Sequence, residues 1–293
     1  MNKKLLSLIV CPICKNRLQQ VNLSKLRCVH CKKYYPIKHG VPVLVDLDNL
    51  PQHLIGQIRY FAPNSKDYGT AKTVETWQRK YEDRLFQSLK TYRGKVLIDD
   101  ACGSGYVSVE AAKRGMTVLA CDLNLSGLIR LYRHAQQLGL SDKIFSVCCS
   151  SEEMPIRTNC ADAIVANAIL EHLPKEKEAI DEITRVTKKN GIAMITVPLA
   201  YYLLNPLFLL VNYMHDRKIG HLRRYTKEGL VSRFHAWNLL RVYYTGHTLK
   251  VAKTLINIFI PLFDAQYIEN EDEKYVSKKL FASNISIIFR KKT

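Results

Sequence analysis

Acidic residues are scarce: 26 Asp and Glu stand against 44 Lys and Arg, a formal charge of +18 over 293 residues. That excludes an acidic-tail protein, and 47% apolar residues give enough material for a core to exclude a long disordered chain. Long hydrophobic runs are also missing. Val197 to Met214 is interrupted by Asn205, Pro206 and Asn212, and Leu255 to Phe263 is short and holds Pro261, so neither reads as a spanning helix. Leu5 to Val10 is too short for a secretory signal, and no small-residue cleavage site follows it. The expected location is cytoplasmic, with peripheral membrane contact left open.

The charge is uneven. Residues 1–60 carry ten basic and two acidic groups, 61–198 nineteen and seventeen, and 199–293 fifteen and seven. A polyanion or an anionic membrane would therefore touch the two ends of the chain, the alternative being a plainly solvated surface.

Cysteine is what the chain has in quantity. Of nine, Cys102, Cys121, Cys148, Cys149 and Cys160 lie in apolar stretches, where a free thiol behaves as a small buried hydrophobe and suits a reducing compartment. The other four form two knuckles, Cys11-Pro-Ile-Cys14 and Cys28-Val-His-Cys31, separated by thirteen residues. Each brings two thiolates to one side of a tight turn, and together they complete the closed tetrahedron that structural zinc favours, at Zn–S distances of about 2.3 Å. A redox dithiol or chance spacing is the alternative. His30 and His39 are read as flanking the metal. Two short β runs follow, Tyr35 to Leu44, about a turn at Lys38 to Gly40. The order Cys-Pro-x-Cys, Cys-x-x-Cys, Tyr-Pro-Ile, Gly-Val-Pro-x-Leu over residues 5–46 resembles the small zinc-ribbon activator subunit of methyltransferases acting on tRNA, rRNA and translation factors. Ribbons of this kind are also fused to enzymes with other substrates.

Residues 49–93 read as a linker and N-terminal helices, with a helix around Thr73 to Leu89 whose Trp77, Tyr81, Leu85 and Leu89 recur every four. Lys95 to Asp99 is a buried strand, and Asp100-Ala-Cys-Gly-Ser-Gly-Tyr106 turns into a helix near Val107 to Arg114. Glycines in that loop let backbone approach a ligand, and the helix start presents unpaired N–H groups. Val118 to Asp122 is a second strand ending in a carboxylate suited to both hydroxyls of a ribose, a feature dinucleotide folds share. The loop is Cys-Gly-x-Gly and lacks the third glycine of Gly-x-Gly-x-x-Gly, and no P-loop Lys-Ser/Thr follows it. Further strands are read at Phe145 to Cys149, Asp162 to Asn167 and Ile192 to Val197. Leu170-Glu-His-Leu-Pro174 follows the first two of these, then a helix over Lys175 to Thr187 stopped by Asn190-Gly191, and Ser283 to Phe289 alternates as a last strand.

In this order residues 75–198 resemble class I S-adenosylmethionine-dependent methyltransferases. The expected fold is α/β, a doubly wound Rossmann-like sheet of seven strands behind a small N-terminal zinc ribbon. The division implied is a ribbon over 1–48, linker and helices over 49–93, and a methyltransferase domain over 94–293 with a substrate-side insert at 199–265. The resemblance implies S-adenosyl-L-methionine as cofactor. Asp99, Ala101, Cys102, Gly103, Ser104 and Gly105 would hold its methionine end and Asp122 its ribose, with Leu123 beside the adenine and Ser150, Ser151 and Asn167 along the remaining edges. Two positions depart from the family. Ala101 stands where the first loop glycine is usual, and Ser150 where an Asp binds the adenine amino group, so that hydrogen bond is weaker.

The acceptor is less legible. Asn167-Ala-Ile-Leu170 is not the Asn-Pro-Pro-Tyr type, which disfavours amino-group methyltransferases of nucleobases and glutamine. His172 is a candidate base, against a packing role at a helix start, and His221 is a second candidate. His221, Arg223, Arg224 and Tyr225 crowd donors before a helix capped by Thr226, fit either to hold an oxyanion-bearing substrate or to form a structural salt-bridge set. The run is similar to a His-Leu/Arg-Arg-Tyr element in class I enzymes acting on small molecules, glycans and lipid-linked intermediates. Tyr201 to Tyr213 and Leu249 to Phe263 read first as ordinary core, and second as a lid or bilayer contact. The expected activity is methylation of a small-molecule, glycan or lipid-type acceptor. RNA methylation is the alternative, motivated by the basic ribbon and its Tyr34 and Tyr35, and a non-catalytic binding protein is the third reading, suggested by Ala101 and Ser150.

Overall fold

The computed structural model describes residues 1–61, 76–89, 91–260 and 262–293. The chain opens with helix α1 (Lys3–Leu8), where the Asn2 side chain accepts from the Lys4 N–H at 2.7 Å. Four short strands follow, β1 (Leu18–Asn22), β2 (Lys25–Cys28), β3 (Tyr34–Lys38) and β4 (Val41–Pro42), paired in chain order. The expected turn between the last two uses left-handed backbone at His39 and Gly40, and a Cβ on Gly40 would stand 2.6 Å from the Tyr132 ring.

Helix α2 (Gln52–Phe61) occupies part of what the sequence suggests is linker. Leu54, Gln57, Ile58 and Phe61 share one face, Leu54 is buried, and Gln57 Nε2 donates to the Ile219 carbonyl at 2.9 Å. Helix α3 (Thr76–Gln87) buries Tyr81 and Leu85 as expected; residues 73–75 of that expected helix and the Trp77 side chain lie outside the described residues.

The large sheet is built from β5 (Val96–Asp100), β6 (Thr117–Asp122), β7 (Ile144–Cys148), β8 (Ala161–Asn167), β9 (Thr187–Pro198), β10 (Trp237–Thr245) and β11 (Asn284–Lys291). Its order is β10-β11-β9-β8-β5-β6-β7, with β11 antiparallel to both neighbours and the other pairings parallel. Helices α4 (Tyr106–Lys113), α5 (Leu125–Gln137) and α6 (Glu176–Val186) make the crossovers, so the central strands are apolar on both faces. The stop expected at Asn190 falls elsewhere: α6 ends at Val186 because Thr187 is already extended, and Asn190 takes its left-handed φ of 61° inside β9.

The ribbon is not an appendage. Leu8, Leu18, Leu26 and Leu44 pack in the same core as Leu119, Phe145 and Ile156. Leu44 N–H donates to the Cys148 carbonyl at 2.8 Å, and Arg157 N–H to the Leu8 carbonyl at 2.8 Å. Just after β4, Val43 and Leu44 thereby pair with Cys148 and occupy the end of the β7 edge, where backbone groups would otherwise be unpaired.

The C-terminal part adds α7 (Leu209–Ile219), α8 (Lys227–Arg233), α9 (Thr248–Phe259) and α10 (Ala265–Glu273). Thr226 caps α8 as expected, accepting from Gly229 N–H at 2.9 Å. The expectation of ordinary core for Tyr201 to Tyr213 is corrected here: Leu207 is 83% exposed and Leu210 69%. Asp216 and Ile219 take the buried face of α7, which turns its apolar residues outward.

Candidate active site

The parallel strands end together on one edge of the sheet, where α/β folds bind ligands. Strand β5 delivers Asp99 and Asp100 there, β6 delivers Asp122, and β8 delivers Asn167. Between β5 and α4 the loop is held by Cys102 N–H on the Cys121 carbonyl (2.9 Å) and Gly105 N–H on the Cys102 carbonyl (2.8 Å). Ala101, Gly103 and Gly105 all have positive φ, of 54°, 51° and 74°. At Gly105 a Cβ would meet Leu131 Cδ1 at 2.5 Å, so a side chain there would push the α5 wall away. Cys102 is buried, and Ser104 and Leu123 are half-buried.

The three carboxylates differ in their partners. Asp99 Oδ2 accepts from Ser108 Oγ at 2.7 Å, and burial pushes its pKa up to about 7. Asp100 Oδ1 accepts from Ser151 Oγ at 2.7 Å while Oδ2 has no donor among the described residues; burial again pushes the group up to about 7. Asp122 accepts from Gly103 N–H at 2.9 Å and from Asn124 N–H at 2.8 Å, one on each oxygen, which leaves a lone pair on each. Its pKa is raised by burial. Ser150 Oγ accepts from Glu152 N–H at 3.2 Å, and Asn167 Nδ2 donates to Tyr106 Oη at 3.2 Å. Sequence reasoning gave no role to Asp100 or Tyr106, although the Asp99-Asp100 doublet was the signal for the first.

Residues 98–195 match the family described as methyltransferase domain, and residues 2–40 that described as Trm112p-like protein. The chain carries a class I methyltransferase domain. Its Trm112p-like region gathers Cys11, Cys14, Cys28 and Cys31 with their sulfurs within 4.8 Å of one another. The Cys11–Cys31 and Cys14–Cys28 pairs stand 3.6 and 3.4 Å apart, near the about 3.8 Å edge of a zinc–thiolate tetrahedron, so the donor set fits zinc. The methyltransferase domain implies S-adenosylmethionine as cofactor.

Among curated proteins the chain is similar to the tRNA 5-carboxymethoxyuridine methyltransferase of Escherichia coli K12, 25% identical over 130 residues, 43% of this chain and 49% of that protein. It is also similar to the ubiquinone biosynthesis O-methyltransferase of Pseudomonas fluorescens SBW25, 30% identical over 100 residues, 33% of this chain and 42% of that protein. The chain spans about half the length, or less, of these curated relatives. Among solved structures the cyclase SpnF shares the fold, with a TM-score of 0.60 at 17% identity over 82% of this chain and 97% of that one.

On the other side of the methyltransferase domain's edge, the turn after β8 and the approach to α8 bring together residues far apart in sequence. Glu171 and His172 are buried, and His172 packs edge-on against His221 at 4.8 Å between ring centroids. Burial and the neighbouring His221 bring the His172 pKa down to about 4, and burial pushes Glu171 up to about 8. His221 Nδ1 lies 2.8 Å from Asp216 Oδ1, and burial lowers its pKa despite that carboxylate. Arg224 grips Asp216 with Nε (2.6 Å) and Nη2 (2.8 Å), and Tyr201 Oη donates to the same carboxylate. Arg223 Nη1 donates to the carbonyls of Leu170 (2.9 Å) and Leu173 (2.6 Å), and Tyr225 is buried. The donors of the two arginines thus hold the loop in place. Asp216 escaped sequence reasoning, because nothing local marks one aspartate on an apolar helix.

Proposed function

We propose that the chain transfers a methyl group from S-adenosylmethionine to a small-molecule, glycan or lipid-type acceptor, and that the acceptor is lipid-type, met at a membrane surface facing the cytoplasm. One observation carries this reading: a broad exposed apolar face lies beside the ligand edge. It includes Leu207, Leu210 and Met214 on and before α7, and Leu249, Leu280 and Phe281. Asn205 Nδ2 donates to Thr248 Oγ1 at 3.1 Å and Phe281 N–H to the Leu203 carbonyl at 2.8 Å, which joins these segments into one surface. A hollow of about 310 Å³ opens there, bordered by Leu249, Tyr275, Leu280 and Phe281. Exposed Arg217, Lys218, Lys278 and Lys279 supply charge for anionic headgroups. Among the described residues no helix is long and apolar enough to cross a membrane, which leaves surface contact as the mode.

Within that reading the chain divides as 1–48, 49–93 and 94–293, with 199–265 on the acceptor side and a structural zinc in the ribbon. Asp122 holds the ribose. Asp99, Ala101 and the loop through Gly105 cradle the methionine end, where the orphaned Asp100 Oδ2 suits an ammonium group. Leu123, Ser150, Ser151 and Asn167 line the adenine and remaining edges. S-adenosylmethionine supplies an electrophilic methyl carbon on a sulfonium, so the chain's own task is chiefly alignment. His172 and His221 are the groups available to activate a hydroxyl acceptor, on a wall that Arg223, Arg224 and Tyr225 shape.

A second reading, RNA methylation, is favoured by one patch on the ribbon. Tyr34 is 51% exposed, with Lys25 and Arg27 lying 5.3 and 5.5 Å from its ring centre, a small stacking platform with cations. Tyr35 adds nothing to it, being buried with its hydroxyl 3.1 Å from Cys11 Sγ. The deciding experiment traces labelled methyl from S-adenosylmethionine into separated lipid, glycan, metabolite and RNA fractions of an extract, with Asp122→Ala as control. Label in lipid is expected; label in RNA alone overturns the leading reading in favour of the second, and label in no fraction overturns both.

A further inference from the structure

Glu171, His172 and His221 each bring one ligand atom to within 4.8 Å of the other two. Glu171 is 1% exposed and His172 5%. Their hydrogen-bond partners fix the tautomers. Asp216, ion-paired with Arg224, accepts from His221 Nδ1 at 2.8 Å, so Nδ1 carries the proton and Nε2 the lone pair. That lone pair stands 3.7 Å from Glu171 Oε1, and Glu171 Oε2 has no partner among the described residues. The Gly220 carbonyl oxygen, 3.3 Å from His172 Nδ1, can only accept, so His172 adopts the same tautomer and its Nε2 also keeps a lone pair. The three side chains thus gather imidazole nitrogens and a buried carboxyl oxygen in one place, with Glu171 Oε2 left over, and a buried polar atom without a partner is costly.

We propose that Glu171, His172 and His221 bind a divalent transition-metal ion of the zinc class, with Asp216 orienting His221 from behind. Two imidazoles and one carboxylate are a ligand set typical of zinc and iron(II). A carboxylate on the far nitrogen is the usual support of a metal-ligating histidine, fixing its ring and raising its basicity. Ligand atoms about 2.0 to 2.1 Å from a tetrahedral ion stand about 3.4 Å apart, so the 3.7 Å between Glu171 and His221 closes by a few tenths of an ångström, while His172, within 4.8 Å of both, moves in further on binding. Among the described residues neither Arg223 nor Arg224 hydrogen-bonds Glu171: Arg223 Nη1 is spent on the Leu170 and Leu173 carbonyls, and Arg224 grips Asp216. Three protein ligands leave a coordination position where an acceptor hydroxyl would be acidified. Only that last consequence rests on the acceptor-side role of His172 and His221 given above.

The test uses the full chain, freed of metal and then equilibrated with Zn2+ alone. Elemental mass spectrometry is expected to count two zinc ions per chain, and one in the double variant Glu171→Gln, His221→Gln. With Co2+ in place of Zn2+, the wild-type spectrum should combine the ribbon's thiolate charge-transfer bands with visible bands of a nitrogen–oxygen site, and the variant should lose only the latter. If the variant fails to fold, the wild-type count and spectrum decide by themselves. A single ion per chain with a purely thiolate spectrum overturns the proposal, leaving a proton shared between Glu171 and His221. Neither readout involves methyl transfer, so loss of the acceptor reading and loss of the metal site register separately.

Discussion

Ala101 shows what one missing glycine does to the loop. Its φ of 54° lies in the left-handed region, which costs a residue with a Cβ roughly 1–2 kcal/mol, part of which glycine returns as chain entropy. Ala101→Gly is expected to stabilise the fold by about 1 kcal/mol, a Tm rise of about 2–4 °C in thermal melts. A fall in Tm would mean that the Ala101 methyl makes contacts worth more than the strain. Asp122 invites a different substitution. In Asp122→Asn one oxygen remains for Gly103 or Asn124, but the charge on the proposed ribose hydrogen bonds would be gone, at about 2 kcal/mol or near thirtyfold in Kd for S-adenosylmethionine. Titration calorimetry measures this directly, and an unchanged Kd removes Asp122 from the cofactor site.

Between β10 and α10 a buried pair couples the elements to pH. Asp272 accepts from Gly246 N–H, His247 N–H and His247 Nδ1, while His247 Nε2 faces the Lys278 carbonyl at 2.8 Å. With acceptors at both ring nitrogens, His247 is held as an imidazolium. Burial and Lys250 pull its pKa down, but Asp272 and the carbonyl outweigh them and raise it. The stabilisation is therefore complete below the unfolded value of about 6.5 and is lost as pH rises through the higher folded value. Tm is expected to fall over that interval, and His247→Gln to flatten the fall; parallel slopes in the two proteins would assign the pH dependence to other groups. The ribbon makes a prediction of the same order. Because Leu18, Leu26 and Leu44 share one core with Phe145, stripping its metal with a chelator should lower a single calorimetric transition. A separate low-temperature ribbon transition beside an unmoved main one would contradict this.

For the whole molecule, the apolar face and its basic rim predict binding to vesicles containing anionic lipid, weakening as salt rises. Replacing Leu207, Leu210 and Met214 together by Ser is expected to cut sedimentation with such vesicles at least severalfold while leaving Tm nearly unchanged, since all three are exposed. Equal sedimentation of both proteins would end the membrane reading. Much of this architecture is written locally. The thiolate knuckles, the carboxylate at the end of β6 and the β5 loop are patterns within a few residues, because tight turns and strand ends demand particular side chains at fixed spacing. So the sequence by itself determined the ribbon and the class of sheet. The tertiary structure alone decided that the ribbon docks on the end of the β7 edge, that the apolar residues of α7 face outward, and that Asp216, His221, Glu171 and His172 meet. His172 and Gly220 are 48 residues apart, and only the path of the chain from β8 through β9 and α7 closes that gap, which no local pattern encodes.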